Sequence, residues 1–420
     1  MFDFMDMDFN SGGETGEPSG SGPYIPDAGE CMRCGMCVGS CPTFRLFQVD
    51  EETPRRRIRT IDKLLVENQP VSDTELQHLN NCLQCRACEP ACPSRMAYGE
   101  LFDRARAALA SQAPTDWLAK LAFRVIEQKR WRNRLMPLMD LYLKTGLRTP
   151  LRKSGLLKKL RLAEAEALLT PPALTALKTL YPATANRRGN VALFTGCVAE
   201  PLDRETLLAA IKLLNAVGFD VSVPTQQGCC GAIHQHNGQS AAGLIANNLR
   251  VFNALPVDAV IHTASGCGAM LSEYRADDDA AVQLFGSRLA DINEFLLQHW
   301  PEDLLLKPVD GTAAVHEPCS QRNVLKNQQA VYALLAKIPG LAVAPLADNR
   351  ICCGAGGSYM LTHPDNAEAL RTLKTQAVAA AAASTVVSGN FGCMCFLNAD
   401  PALNGQKIVH PIRLLAGALP

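Results

Sequence analysis

Two runs of cysteine near the start of the chain have the residue type and spacing of metal ligands. Cys31, Cys34, Cys37 and Cys41, followed by Pro42, obey C-x2-C-x2-C-x3-C-P, and Cys82, Cys85, Cys88 and Cys92, followed by Pro93, obey it again fifty-one residues later. Three thiolates spaced this way on a tight loop can grip three corners of an iron-sulfur cubane, while free amides of the loop donate to its sulfides. The fourth corner must come from elsewhere. In two-cluster ferredoxins the last Cys of each run serves the other cluster. The expected sets are therefore Cys31, Cys34, Cys37 and Cys92 for one [4Fe-4S] cluster, and Cys82, Cys85, Cys88 and Cys41 for the second. Such crossing ties the two halves together and keeps the clusters close. Zinc is the competing metal, but zinc modules use two separated CxxC pairs rather than a run of four ending in Cys-Pro. A disulfide framework suits short secreted chains, not one of this length.

A second cysteine population lies in the C-terminal half. Cys197, Cys229, Cys230 and Cys267 form one series, and Cys319, Cys352, Cys353 and Cys393, with Cys395 nearby, form another at an offset of 122 to 126 residues. These eight are expected as a further cluster site or as redox thiols, with buried structural thiols as the alternative. The elements that must position them follow the same repeat. VALFTGC, DVSVP and AVIHTASGC read as strands separated by the helical LLAAIKLLNAVG and AAGLIANNLRVFNAL. TAAVHEPC, LAVAPLA and STVVSGNFGC alternate likewise with QQAVYALLAKIPG and NAEALRTLKTQAVAAAA. Strands alternating with helices give parallel sheets with helical crossovers. Ligands collect beyond the carboxyl ends of such strands, where these cysteines fall.

The expected fold is therefore α+β and multidomain: a helical two-cluster ferredoxin-like domain followed by two duplicated α/β modules with parallel sheets. The expected boundaries are a flexible acidic tail over 1–30, the ferredoxin-like domain over 31–112, a helical basic connector over 113–188, and modules over 189–305 and 306–420. The connector carries seven basic residues and no acidic one from Lys144 to Arg161, with Trp117 and Trp131 upstream in a helical register. It reads as a solvated or partner-docked face, with an anionic membrane surface as the alternative. PRRRIRT at 54–60 reads as a solvated helix start, or as a group that pairs with a partner or tunes cluster potential. His234, His236 and His316, near module cysteines, read as structural histidines, with a ligand or proton-relay role as the alternative.

Whole-chain properties narrow the function. With 41 Lys and Arg against 41 Asp and Glu, no global field draws nucleic acid or an anionic membrane. Aromatics at 6% do not furnish a base-stacking surface. The acidic start MFDFMDMDFN lacks the basic residues of a targeting signal, and no apolar run approaches the ~20 residues of a spanning helix. The expected location is cytoplasmic, with peripheral attachment to the inner face of the plasma membrane as an option. CGAGGSY at 353–359 lacks dinucleotide-loop spacing, and no Walker loop, GxSxG elbow or HExxH helix occurs. No flavin or nicotinamide site and no catalytic residue is assigned.

The vicinal cysteines in GCCGA at 228–232 and CCGAGGSYMLTHP at 352–364, with TASGCGA at 263–269, resemble the CCG-domain proteins. That family includes heterodisulfide reductase subunits and the iron-sulfur subunits of glycolate oxidase and related 2-hydroxyacid dehydrogenases. Two ferredoxin motifs followed by two CCG modules are similar to the glycolate oxidase type across nearly the whole chain after residue 30. The resemblance implies an electron-transfer subunit of an oxidoreductase complex, inactive alone on the organic substrate. FAD-binding partner subunits would oxidise glycolate, and electrons would leave toward quinone or another acceptor. The alternatives are the same role in a D-lactate or other 2-hydroxyacid dehydrogenase, or a heterodisulfide reductase-like thiol enzyme. One departure weighs against the last. In that type each module ends in CxxC, whereas Met270 and Phe396 stand three residues beyond Cys267 and Cys393.

Overall fold

The computed structural model describes residue 29 and residues 31–112, 121, 123–125, 127–160, 162–276 and 279–420. The acidic tail expected over residues 1–30, Gly29 apart, and Trp117 lie outside these.

The cysteine runs sit on loops framed by helices Pro54–Leu65, Asp73–Asn80 and Tyr98–Gln112. Pro54 starts the first of these, where its missing N–H costs nothing. Ser72 and Glu75 form a capping box on the second, Glu75 Oε2 accepting from the Ser72 amide at 2.8 Å. The apolar faces meet at Ile58, Ile61, Leu79, Leu101 and Phe102, all buried. This small core fixes the loops relative to each other.

The connector is helical over Lys129–Lys144, Arg148–Lys153, Leu156–Lys159 and Ala163–Ala167. Its basic face is only partly free. Glu166, buried, accepts from Arg148 at 2.7 Å and Arg152 at 2.6 Å, which pins the short helices together. Lys153, Lys158 and Lys159 remain exposed beside Leu156 and Leu160.

Two sheets follow. In the first, β2 (Gly189–Phe194) lies between β3 (Phe219–Ser222) and β4 (Ala259–His262), with β5 (Leu289–Asp291) beyond β4. These strands are parallel, and β1 (Leu180–Tyr181) adds to β3 antiparallel. In the second, β6 (Gly311–His316) lies between β7 (Leu341–Pro345) and β8 (Thr385–Ser388), with β9 (Ile408–Val409) beyond β8, all parallel. The central strands end in four consecutive buried residues, as strands covered on both faces must. The short edge strands β1, β5 and β9 are elements that the sequence pattern does not announce.

The modules pack on each other reciprocally. Helix Arg204–Ala216 of the first lies on helix Pro411–Ala418 of the second, and Ile292–His299 of the first lies on Gln328–Leu335 of the second. The first long helix of one module meets the last helix of the other both times, the pattern of an isologous pair built within one chain. The result is one core, running from Val191, Leu213 and Leu296 through to Val315, Leu334 and Ile412.

Candidate iron-sulfur sites and a cysteine-lined cavity

The two cysteine loops share a backbone form that explains their spacing. Arg33 and Gly35 in the first loop have φ of 54° and 81°, and their counterparts Gln84 and Arg86 in the second have 51° and 56°. Left-handed residues between successive cysteines turn backbone amides inward and make an anion-receiving nest. Gln84 N already donates to Cys82 Sγ at 3.4 Å. Three of the four positions are not glycine, so surrounding contacts must hold them there.

Each loop lines a small cavity completed by the other loop. Cys31, Cys34, Cys37 and Cys92 line one, together with Cys88 and Arg55. Cys41, Cys82, Cys85 and Cys88 line the other, together with Arg57 and Tyr98. Cys88 touches both. Burial pushes the Cys37 thiol up to about 11 and raises Cys82, Cys85 and Cys88 as well. Buried thiols that resist ionising alone, beside inward amides, suit a cationic iron core that replaces their protons. The donor set thus fits an iron-sulfur cluster in each cavity.

Arg57 is the group that sequence reading did not single out. The PRRRIRT stretch is a helix start as expected, and half-buried Arg55 and exposed Arg56 pair with Asp50. Arg57 instead is buried at 2% exposure. Its Nη1 donates to Cys41 Sγ at 3.4 Å, Nη2 to Thr43 Oγ1 at 2.8 Å, and Nε to the His78 carbonyl at 2.7 Å. It also pairs with buried Glu52, whose Oε1 is held by His78 at 2.7 Å and Asn81 at 2.6 Å. Burial opposes this charge, yet Cys82, Tyr98, Cys41 and Glu52 together hold the guanidinium above its ordinary range. The sequence signal was position: Arg57 lies on the apolar stripe with Ile61 and Leu64.

The module cysteines gather around a cavity of about 300 Å³. All eight line it, together with Cys82 and Cys85 of the second ferredoxin-type loop, so both modules and the ferredoxin-like part face one space. In the first module, Cys229 interacts with the thiols of Cys197 and Cys230, and these hydrogen bonds draw it well below the ordinary thiol range while raising its two partners. In the second module, hydrogen bonds run from Cys319 to Cys352, Cys353 and Cys393, the last pair at 3.0 Å between sulfurs. Hydrogen bonding and burial hold Cys319, Cys352 and Cys353 all above the ordinary range. Cys395 does not join, and its thiol donates to the Leu168 carbonyl at 3.7 Å. Met270 lines the cavity, and Phe396 is buried beneath the Arg371 guanidinium.

The three histidines divide. His236 reaches Asp103 Oδ1 at 3.1 Å, part of a junction in which Gln84 and Gln235 also donate to Asp103, so it joins domains rather than holding a metal. His234 is buried in contact with Cys229 and packs on Phe123. His316 is buried between strands, with Nδ1 2.9 Å from Ser388 Oγ. Another group hidden from sequence reading is Lys374, at 1% exposure, whose Nζ donates to the Asp348 carbonyl at 2.5 Å within the field of Cys353, Cys352 and Cys393.

Comparison with known proteins agrees with this layout. Residues 27–96 match the 4Fe-4S dicluster domain, residues 191–272 and 313–398 the cysteine-rich domain, and residues 114–169 the linker region of the glycolate oxidase iron-sulfur subunit. The chain is 34% identical over 395 residues to the probable glycolate oxidase iron-sulfur subunit of Bacillus subtilis (strain 168), covering 88% of each. It is 30% identical over 411 residues to the glycolate oxidase iron-sulfur subunit of Escherichia coli (strain K12), covering 93% of each. Lactate utilization protein A of Shouchella clausii is 26% identical over 225 residues, which cover 52% of this chain and 94% of that protein.

Proposed function

The chain belongs to the family of glycolate oxidase iron-sulfur subunits, and from that footing we propose that it carries electrons from a partner FAD subunit, reduced by glycolate, toward quinone or another acceptor. It is an electron-transfer component of an oxidoreductase complex. The ligands we propose are Cys31, Cys34, Cys37 and Cys92 for one [4Fe-4S] cluster, and Cys82, Cys85, Cys88 and Cys41 for the second. The observation that carries this reading is that each cavity is lined by three cysteines of one loop and the fourth of the other. We further propose that the eight module cysteines hold additional iron-sulfur chemistry around the shared cavity.

When bound, such clusters accept and release single electrons, which a flavin can supply after taking a pair from a 2-hydroxy acid. The chain's own residues do the rest. Inward amides at Gln84 and Arg86 offset negative charge at the second loop, Arg57 adds a fixed positive charge beside Cys41, and Tyr98 Oη donates to Cys82 Sγ at 3.4 Å. These favour the more negative, reduced state. Leu83, Ile58 and Met96 keep the surroundings apolar, which limits water access.

No helix among the described residues is long and apolar enough to cross a membrane. For peripheral contact we propose the connector, which exposes Leu138, Leu141 and Leu147 as well as Lys153, Lys158 and Lys159. The test of the main reading is anaerobic production of the full chain with iron and sulfide. The expected result is cubane absorbance and reduced-state paramagnetic signals without glycolate oxidation, and activity only on adding the flavin subunit. Colourless, iron-free protein, or glycolate oxidation by the lone chain, would overturn it.

A further inference from the structure

The duplicated modules are not equivalent at the inner ends of their strands. His316 ends β6, and the residue 122 positions earlier, the offset that relates Cys319 to Cys197, is Phe194. Ser388 ends β8, and the residue 126 positions earlier, the offset that relates Cys393 to Cys267, is His262. Each module therefore has one imidazole at a strand end, but on different strands. In the first module His262 turns toward Asp291, 3.8 Å away, and its ring lies against Gly268, where an added Cβ would fall 2.2 Å from it. In the second module the ring faces the thiols. A ring nitrogen of His316 and the sulfurs of Cys353 and Cys393 all lie within 4.8 Å of one another. Among the described residues this is the only such group of three potential ligands.

We infer that His316 is a nitrogen ligand to an iron-sulfur centre in the second module, bound alongside its cysteines and absent from the first. This rests on the reading that the module cysteines hold such a centre. The geometry has the form that ligand histidines take. One ring nitrogen is engaged by a fixed neighbour, here Nδ1 with Ser388 Oγ at 2.9 Å, which selects the tautomer and aims the other nitrogen. Ser388 is itself fully buried at a strand end, so the aim is set by the sheet and not by a loop. An imidazole replaces a negative thiolate with a neutral donor. A histidine-ligated iron is expected at a higher potential than an all-thiolate one, as when His replaces Cys in Rieske centres. The two modules would then present unequal potentials to an electron arriving through Cys85, which lines the same cavity.

The test uses the full chain, produced anaerobically with ¹⁵N-histidine and examined by pulsed electron paramagnetic resonance, with iron counted on the same samples. The expected result is iron above about eight atoms per chain, the content of two four-iron clusters. A paramagnetic centre should show coupling to directly bonded nitrogen that disappears in His316→Ala. Ser388→Ala, which leaves the imidazole in place but unaimed, should keep the fold and lower iron retention against a chelator by about 10- to 100-fold. A third centre that lacks nitrogen coupling and is unchanged in both variants would overturn the histidine assignment and leave the module reading intact. If iron stays at about eight atoms and is unaffected by Cys352→Ser with Cys353→Ser, the module reading falls, and the histidine assignment falls with it. Should His316→Ala fail to fold, His316→Gln and the Ser388 variant carry the same comparison.

Discussion

Replacing Arg57 with Met separates its electrostatic role from simple filling of space. The substitution keeps a long apolar stem but removes a buried positive charge whose Nη1 lies 3.4 Å from Cys41 Sγ. It also leaves Glu52, at 1% exposure, with only His78 and Asn81 as partners. Breaking a buried pair on one side costs about 3–5 kcal/mol, about a fifth or more of the stability of a typical domain. For the centre proposed at Cys41, Cys82, Cys85 and Cys88, a unit charge ~8 Å away at an effective dielectric of ~20 contributes about 2 kcal/mol. For a one-electron couple that is about 90 mV. Its sign is fixed, because a positive charge favours the reduced state, so its loss lowers the potential. The assay is a redox titration monitored by paramagnetic resonance, with thermal unfolding in parallel. Arg57→Met should lower one centre by about 90 mV while leaving the Cys31-side centre nearly still. The paired change with Glu52→Gln should recover much of the stability and part of the potential. Equal shifts at both centres, or none at either, would refute the placement of this charge.

Three further outcomes follow from other parts of the chain. Burial raises the Asp203 carboxyl to about 6, above its unfolded value of 3.8, so the native state holds the extra proton and stability falls as pH rises between these values. Asp203→Asn, which keeps an acceptor for Thr206 Oγ1 at 2.7 Å, should flatten that slope in denaturant titrations and add at most about 3 kcal/mol at pH 8. A slope parallel to the parent chain would rule this out. Gly238 has φ of 74°, and a Cβ there would fall 2.3 Å from the Arg106 carbonyl oxygen, backbone against backbone. Gly238→Ala should therefore cost about 2 kcal/mol or more in thermal unfolding, and a loss near zero would mean that this junction is loose. Lys374→Met removes a buried ammonium with few partners. The metal-free chain should melt no lower, whereas the iron proposed for the second module should be lost sooner to a chelator. Unchanged iron retention would deny this lysine any part in holding the centre.

The sequence made the alternation of strands and helices legible because VALF, AVIH, AAVH and TVVS are short apolar runs buried on both faces, and helices with clear stripes separate them. Edge strands such as Ile408–Val409 have two residues and no pattern to read; their partners define them. At the candidate site, cysteine is legible because its chemistry is narrow and its spacing is local. Arg57 and Lys374 were not. Each shares its helix with other basic residues, four beside Arg57 and one beside Lys374, and only its place on an apolar stripe distinguishes it, a signal that a neighbouring Arg or Lys easily masks. His316 shows the same limit from another side. Its relation to Cys353 and Cys393 arises across adjacent parallel strands, β6 and β8, that lie some seventy residues apart in the chain.

The common core beneath the duplicated half has a consequence for control. With Leu213 and Leu296 of one repeat packed in the same interior as Leu334 and Ile412 of the other, the halves cannot swing apart without unfolding both. Distances between their sulfur-lined faces, over which electrons would tunnel if the proposed module centres carry them, are consequently frozen once the polypeptide has folded. Throttling of current would then have to occur where a neighbour arrives or departs, at the outer terminals of the conductor.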